Sequence, residues 1–346
     1  MLTIYDTTGQ RLARHDDGQP VGPATVWYDL LNPTKEEDNE VEALLSISVP
    51  TRAEMREIEA SSRFYEENGA SYMTGFLATP VDGETITTST LTFILAADAL
   101  VTVRYTDSKV FPMFLARVER GDASCRTGAG LMIGIIETLV EQQADLIEKV
   151  QDSVERIAKS VFNLDTRRTA ETKLDVLLKG AGAQGDMIAR LTESATSLER
   201  ILHVLRNTAR ERNCDGKIFQ RIETVDRDIS SLSEHMRYLS DRIGLLLNAT
   251  LGLISNEQNQ IIKLFSVMAV MLMPPTLVAS VYGMNFERHM SLDVPTFDVY
   301  IGPQWRFQCR LFLPSISTTR TRPTNGLRPM FGPTDPCARS AARATA

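Results

Sequence analysis

Only four cysteines, Cys125, Cys214, Cys309 and Cys337, are scattered through the 346 residues, and no two form a CxxC pair. That spacing excludes a disulfide framework and a cysteine-built zinc site, and a reducing compartment is expected. The four histidines, His15, His203, His235 and His289, have no HExxH spacing, so a zinc hydrolase is excluded too. There is no GxxxxGK[ST] phosphate loop and no GxSxG nucleophile turn. Positive charge is in deficit: 37 Lys+Arg against 44 Asp+Glu leave a net charge of -7, which argues against nucleic acid as a partner and for cations. The opening MLTIYDTTGQRLARHDD has no apolar core behind a basic start, so no cleaved secretory signal is expected and the N-terminal part should stay cytoplasmic.

A formal GxGxxG at Gly180, Gly182 and Gly185 has helical pattern on both sides rather than a preceding strand. Close helix packing or a local break is expected there, not dinucleotide chemistry. Carboxylates such as Glu36, Glu37 and Asp38, or Glu223, Asp226 and Asp228, fall in patterns that suit solvated helix faces as well as acid/base pairs. No active site is expected, and the chain reads as a non-enzyme without a cofactor.

What is present is a composition of 43% hydrophobic and 23% charged residues, which predicts a large folded soluble part and at most a small membrane-buried one. Residues 1–111 alternate short β-prone runs (LTIY, TVWYDL, SYMTGFLATP, TITTSTLTFILAADALVTVRY) with acidic helical pieces, predicting an α/β domain. Asp82-Gly83 and Ala97-Asp98 mark turns between antiparallel strands, and Asn32-Pro33-Thr34 before Glu36 and Glu37 marks a helix start. Residues 112–260 read as long helices. In their last part Ile222, Val225, Ile229, Leu232, Met236, Leu239, Ile243, Leu246, Thr250 and Leu253 step by three or four, the pattern of a coiled-coil seam that needs partners.

The seam leads into Leu264–Met284, a run without Asp, Glu, Lys, Arg or His. At 1.5 Å per residue it spans roughly 31 Å, the thickness of a bilayer's hydrocarbon core, and residues 261–286 are expected to form one transmembrane helix. A buried core helix is the alternative, with Pro274-Pro275 in its favour. Residues 287–346 turn to a Pro/Arg-rich, disordered-looking tail with seven arginines from Arg306 onward and no second apolar run.

Val281-Tyr282-Gly283-Met284-Asn285-Phe286 closes the apolar helix, and Pro274-Pro275-Thr276-Leu277-Val278-Ala279-Ser280 leads up to it. Residues 256–286 resemble the first membrane helix of the CorA-type magnesium channel family, whose signature is the tripeptide GMN, usually inside YGMNF. The resemblance covers residues 1 to about 287 and implies an α/β cytoplasmic domain, a long helical stalk and a C-terminal pore helix. It also implies a homopentamer in the cell (inner) membrane that conducts Mg²⁺, with cobalt or nickel as poorer substrates. The family carries a second membrane helix after an acidic loop; here His289-Met290-Ser291-Leu292 stands in the loop's place and no second span follows. The abrupt composition change raises the hypothesis of a shifted reading frame or altered gene end, which resequencing around residues 286–300 would test.

By that resemblance Gly283, Met284 and Asn285 form the selectivity filter, with Asn285 contacting Mg²⁺ through its waters. Asn259, Ile262, Ala269, Met273, Thr276 and Ser280, at spacings of three, seven, four, three and four, share a helix face with Phe265 or Ser266 between them. That face is expected to line the pore, with ordinary helix packing as the alternative. Asp226 and Asp228 are candidates for a regulatory Mg²⁺ site between subunits, with solvated stalk positions as the plainer reading. Two competing functions are a zinc transporter of the same fold and a non-conducting single-span coiled-coil anchor.

Overall fold

The computed structural model describes residues 1–8, 11–15, 21–22, 24–57, 59–81, 85–120, 127–162 and 170–283. Seven strands build one mixed sheet: β1 (Leu2–Thr8), β2 (Arg11–Arg14), β3 (Thr25–Leu31), β4 (Phe64–Glu67), β5 (Ala70–Val81), β6 (Thr85–Ala96) and β7 (Ala99–Arg104). Their order across the sheet is β2-β1-β3-β7-β6-β5-β4, and β3 runs parallel to β7 while every other pair is antiparallel. The expected turn at Ala97-Asp98 joins antiparallel β6 and β7, with Ala97 at φ 50°, while the one expected at Asp82-Gly83 lies outside the described residues.

The central strands are buried on both faces, so successive residues feed two different cores. Tyr28, Tyr72, Ile94 and Val101 point into a core with α1 (Lys35–Leu45) and the segment after it, through Val41, Ile47, Val49 and Met55. Their chain neighbours Trp27, Met73, Phe93 and Leu100 point the other way, to a larger core with the helices α3 (Val110–Glu119), α4 (Gly128–Phe162) and α5 (Ala170–Glu211). Trp27 stacks on Tyr5 at 4.5 Å and meets Phe114 edge-on at 5.7 Å. At Gly75 α5 comes so close that a Cβ would lie 2.6 Å from Ile201 Cδ1, so a larger residue there requires the end of that side chain to shift.

Helix α1 starts as the sequence predicts. Thr34 caps it, accepting from Glu37 N at 3.4 Å, while Glu37 accepts from Thr34 N at 2.9 Å and pairs with the Met1 ammonium at 2.7 Å. A short helix α2 (Ala60–Arg63) leads into β4. Between β3 and β7 a buried ion pair ties the sheet: Arg104 donates to both Asp29 oxygens at 3.0 and 2.7 Å, and Thr102 donates to Asp29 at 2.7 Å. Arg104 also lies 3.9 Å over the Phe111 ring.

The last helix, α6 (Gly216–Gly283), contains the coiled-coil pattern and the apolar run. The chain divides into two compact units, Met1–Leu264 and Phe265–Ala346. The boundary expected at residues 111/112 falls inside α3, and one hydrophobic core runs from Val26 in the sheet to Leu246 in α6.

Candidate functional site

The seam of α6 finds its partners inside the same chain. Ile222, Val225, Ile229, Met236, Leu239, Ile243, Leu246 and Thr250 are buried, and Leu232 is half-buried against the same core. Polar contacts fix the register: Arg206 of α5 pairs with Asp226 at 2.8 Å, His235 shares a hydrogen bond with Gln151 of α4 at 2.7 Å, and Thr192 donates to Met236 Sδ at 3.7 Å. At the foot of the helix Arg221 grips Glu137 of α4 through two hydrogen bonds of 2.7 and 2.8 Å. Arg117 of α3 joins Glu137 at 3.0 Å and Glu141 at 2.9 Å. These pairs lie 20 and more residues apart in sequence, so no local spacing announced them.

After Thr250 no described side chain of α6 is buried. Leu253, the last seam position read from the sequence, is 37% exposed. Ile262, Leu264, Phe265, Leu272, Met273 and Leu277 are 59–74% exposed. In water such a surface costs about 25 cal/mol for each Å² left uncovered, so this stretch requires lipid or other helices around it. It is the one helical segment among the described residues long and apolar enough to cross a membrane.

Each expected pore-lining position that is described stands exposed. Asn259 and Ile262 are three residues apart in the first unit; Phe265, Ala269, Met273, Thr276 and Ser280 step by four, four, three and four in the second, which keeps them on one helix face. Pro274 and Pro275 lie inside the helix and remove the i→i−4 bonds to the carbonyls of Val270 and Met271. Thr276 sends its hydroxyl proton back to the carbonyls of Leu272 and Met273, leaving its oxygen lone pairs outward as acceptors. Gly283 is the last helical residue, while Met284, Asn285 and the tail 287–346 lie outside the described residues.

Asp226 is occupied by Arg206, whereas Asp228 is exposed in the wall of a cavity of about 480 Å³ shared with Arg117, Glu137 and Glu141. Among the described residues no three His, Cys, Asp or Glu side chains converge on a metal position. Gly180, Gly182 and Gly185 sit in mid-α5 with no strand before them. A Cβ at Gly180 would lie 3.6 Å from Ile157 and one at Gly185 3.8 Å from Ile243, ordinary contacts, and one at Gly182 would meet nothing within 4 Å, so the close helix packing expected there does not require glycine. His15 pairs with Asp6 at 2.5 Å.

The model of the CorA-like Mg2+ transporter protein family matches residues 23–300. The chain belongs to the CorA-like Mg²⁺ transporter family. The magnesium transport protein CorA of Escherichia coli strain K12 is 31% identical over 289 residues, covering 83% of this chain and 89% of that relative. Among solved structures, the CorA magnesium transporter of Methanocaldococcus jannaschii shares the fold at a TM-score of 0.71 and 14% identity, over 93% of this chain and 98% of that one. The cytoplasmic domain of ZntB from Vibrio parahaemolyticus, at TM-score 0.53 and 10% identity over 73% of this chain and 98% of that one, shares the fold alone. As a CorA family member the protein is a membrane transporter of Mg²⁺ and not an enzyme.

Proposed function

We propose that the chain forms a passive, homo-oligomeric Mg²⁺ channel in the cell (inner) membrane, with the sheet and long helices cytoplasmic. The observation that carries this reading is the change along α6, from a seam buried within the chain to an apolar stretch, Leu264 to Leu277, in which no side chain is buried. One helix cannot enclose an aqueous path, so several copies must contribute their α6 helices, five by the family resemblance. Mg²⁺ releases its inner waters reluctantly, and a ring of neutral Asn285 amides would recognise the hydrated ion without holding it as carboxylates would. Asn259 and Thr276 offer oxygen acceptors along the path, while Ile262, Phe265 and Met273 offer apolar constrictions that close by dewetting.

Entry is driven by the membrane potential, worth about 4.6 kcal/mol per divalent ion per 100 mV. Cobalt and nickel pass as poorer substrates. Intracellular Mg²⁺ bound between neighbouring copies near Asp226 or Asp228 favours the closed state through its differential affinity. The test is Mg²⁺ uptake into liposomes carrying the full chain, with Co²⁺, Ni²⁺ and Zn²⁺ as competitors. Uptake inhibited weakly by Co²⁺ and Ni²⁺ supports the reading; uptake of Zn²⁺ in preference to Mg²⁺ favours the zinc transporter, and no uptake of any ion favours a non-conducting anchor.

A further inference from the structure

A second cavity, of about 680 Å³, lies between the end of β5, the start of β6 and the α4 and α5 helices, and the pore reading makes no use of it. We propose that it binds an organic phosphate monoester, by chemical class a nucleoside monophosphate. Its size falls in the range of about 300–1,000 Å³ typical of small-molecule sites. Lys149 and Arg156 stand two turns apart along its α4 wall, roughly 10 Å of helix rise. Neither is paired with a carboxylate among the described residues; Arg156 Nη2 instead donates to Ser153 Oγ at 2.8 Å. In the cavity beside α6, by contrast, Arg117 is already neutralised by Glu137 and Glu141.

Asp152 is the one carboxylate in the lining, so the two cations leave an excess of one positive charge. That balance suits a monoanion or dianion and disfavours a triphosphate. The Arg156 guanidinium supplies forked donors and the Lys149 ammonium a point charge for phosphate oxygens, while the Ser153 hydroxyl donates to the Lys149 carbonyl at 3.0 Å. Ile86 and Met187 contribute apolar wall against which a base can lie. Gln184, also in the wall, has a buried Oε1 with no donor among the described residues, and a base amino group or ribose hydroxyl would supply one. Inorganic phosphate would engage the cations alone, and an uncharged nucleoside only the rest of the wall.

The test is calorimetric titration of the full chain in detergent with AMP, with adenosine and with inorganic phosphate. AMP should bind saturably, one per chain, at least about tenfold tighter than either fragment, and Lys149→Ala and Arg156→Ala should each weaken it about tenfold. Ala183→Trp, which fills the cavity from α5, should abolish binding, with thermal melts of all variants confirming that the fold persists. Absence of saturable AMP binding overturns the proposal. So does AMP binding that matches that of inorganic phosphate, or that survives both Arg156→Ala and Ala183→Trp.

Discussion

Residues 1–264 and the exposed end of α6 handle the same chemistry in opposite ways. From the sheet to Leu246 of α6 one hydrophobic core, and even the Asp29–Arg104 ion pair, is enclosed by the chain itself. From Phe265 to Leu277 the side chains are at least as apolar, yet the chain encloses none of them. The helix is chemically continuous; its surroundings are not. The first stretch is built for water outside and protein inside, and the second for a medium the chain does not supply.

The comparison sharpens most where a charge is stranded. Asp29→Ala leaves the Arg104 guanidinium buried without its partner and should cost about 3–5 kcal/mol in denaturant unfolding of the cytoplasmic part. Ile229→Ala opens a cavity in the enclosed seam and should cost about 2–5 kcal/mol, whereas Leu272→Ala should leave the same unfolding transition within about 0.5 kcal/mol. Equal losses in the two variants would break the distinction between the halves of α6.

Val270→Arg puts a charge in mid-span and should raise the cost of insertion by about 2.5–3.5 kcal/mol, read as protein released on alkaline extraction of membranes. Thr34→Ala removes the α1 cap and should cost about 1 kcal/mol of domain stability with no effect on membrane association.

The smallest effect concerns acid. Burial pushes the Asp6 carboxyl up, but hydrogen bonds from Thr25 and His15 and the charge of His15 outweigh it, so its folded pKa lies below the ordinary carboxylate value. The stability it contributes is therefore full above about pH 4 and lost as pH falls through the lower folded pKa. Asp6→Asn should flatten that part of the acid limb in a pH series of thermal melts.

Much of this was legible in the sequence, because local patterns determine local structure. Thr34 with Glu37 states a helix start, Ala97-Asp98 states a turn, and the run after Lys263 states a span. The parallel pairing of β3 with β7 was not legible, since it joins strands about seventy residues apart and no spacing encodes the partner. The seam on α6 announced a need for partners without saying whose; α4 and α5 of the same chain supply them. The Glu137 cluster was invisible for the same reason, its members lying on three helices. The proposed filter rests on the motif Gly283-Met284-Asn285, of which the described residues include Gly283 alone.

In the proposed channel the exposed end of α6 conducts hydrated Mg²⁺ past Asn285. The most direct measurement compares Mg²⁺ influx under an inside-negative potential in liposomes carrying the chain or its Asn285→Ala variant. Influx with the native chain and loss of Mg²⁺ selectivity in the variant, at equal membrane incorporation, are the expected results. Equal, selective influx in both, or none in the native chain, would contradict the proposal.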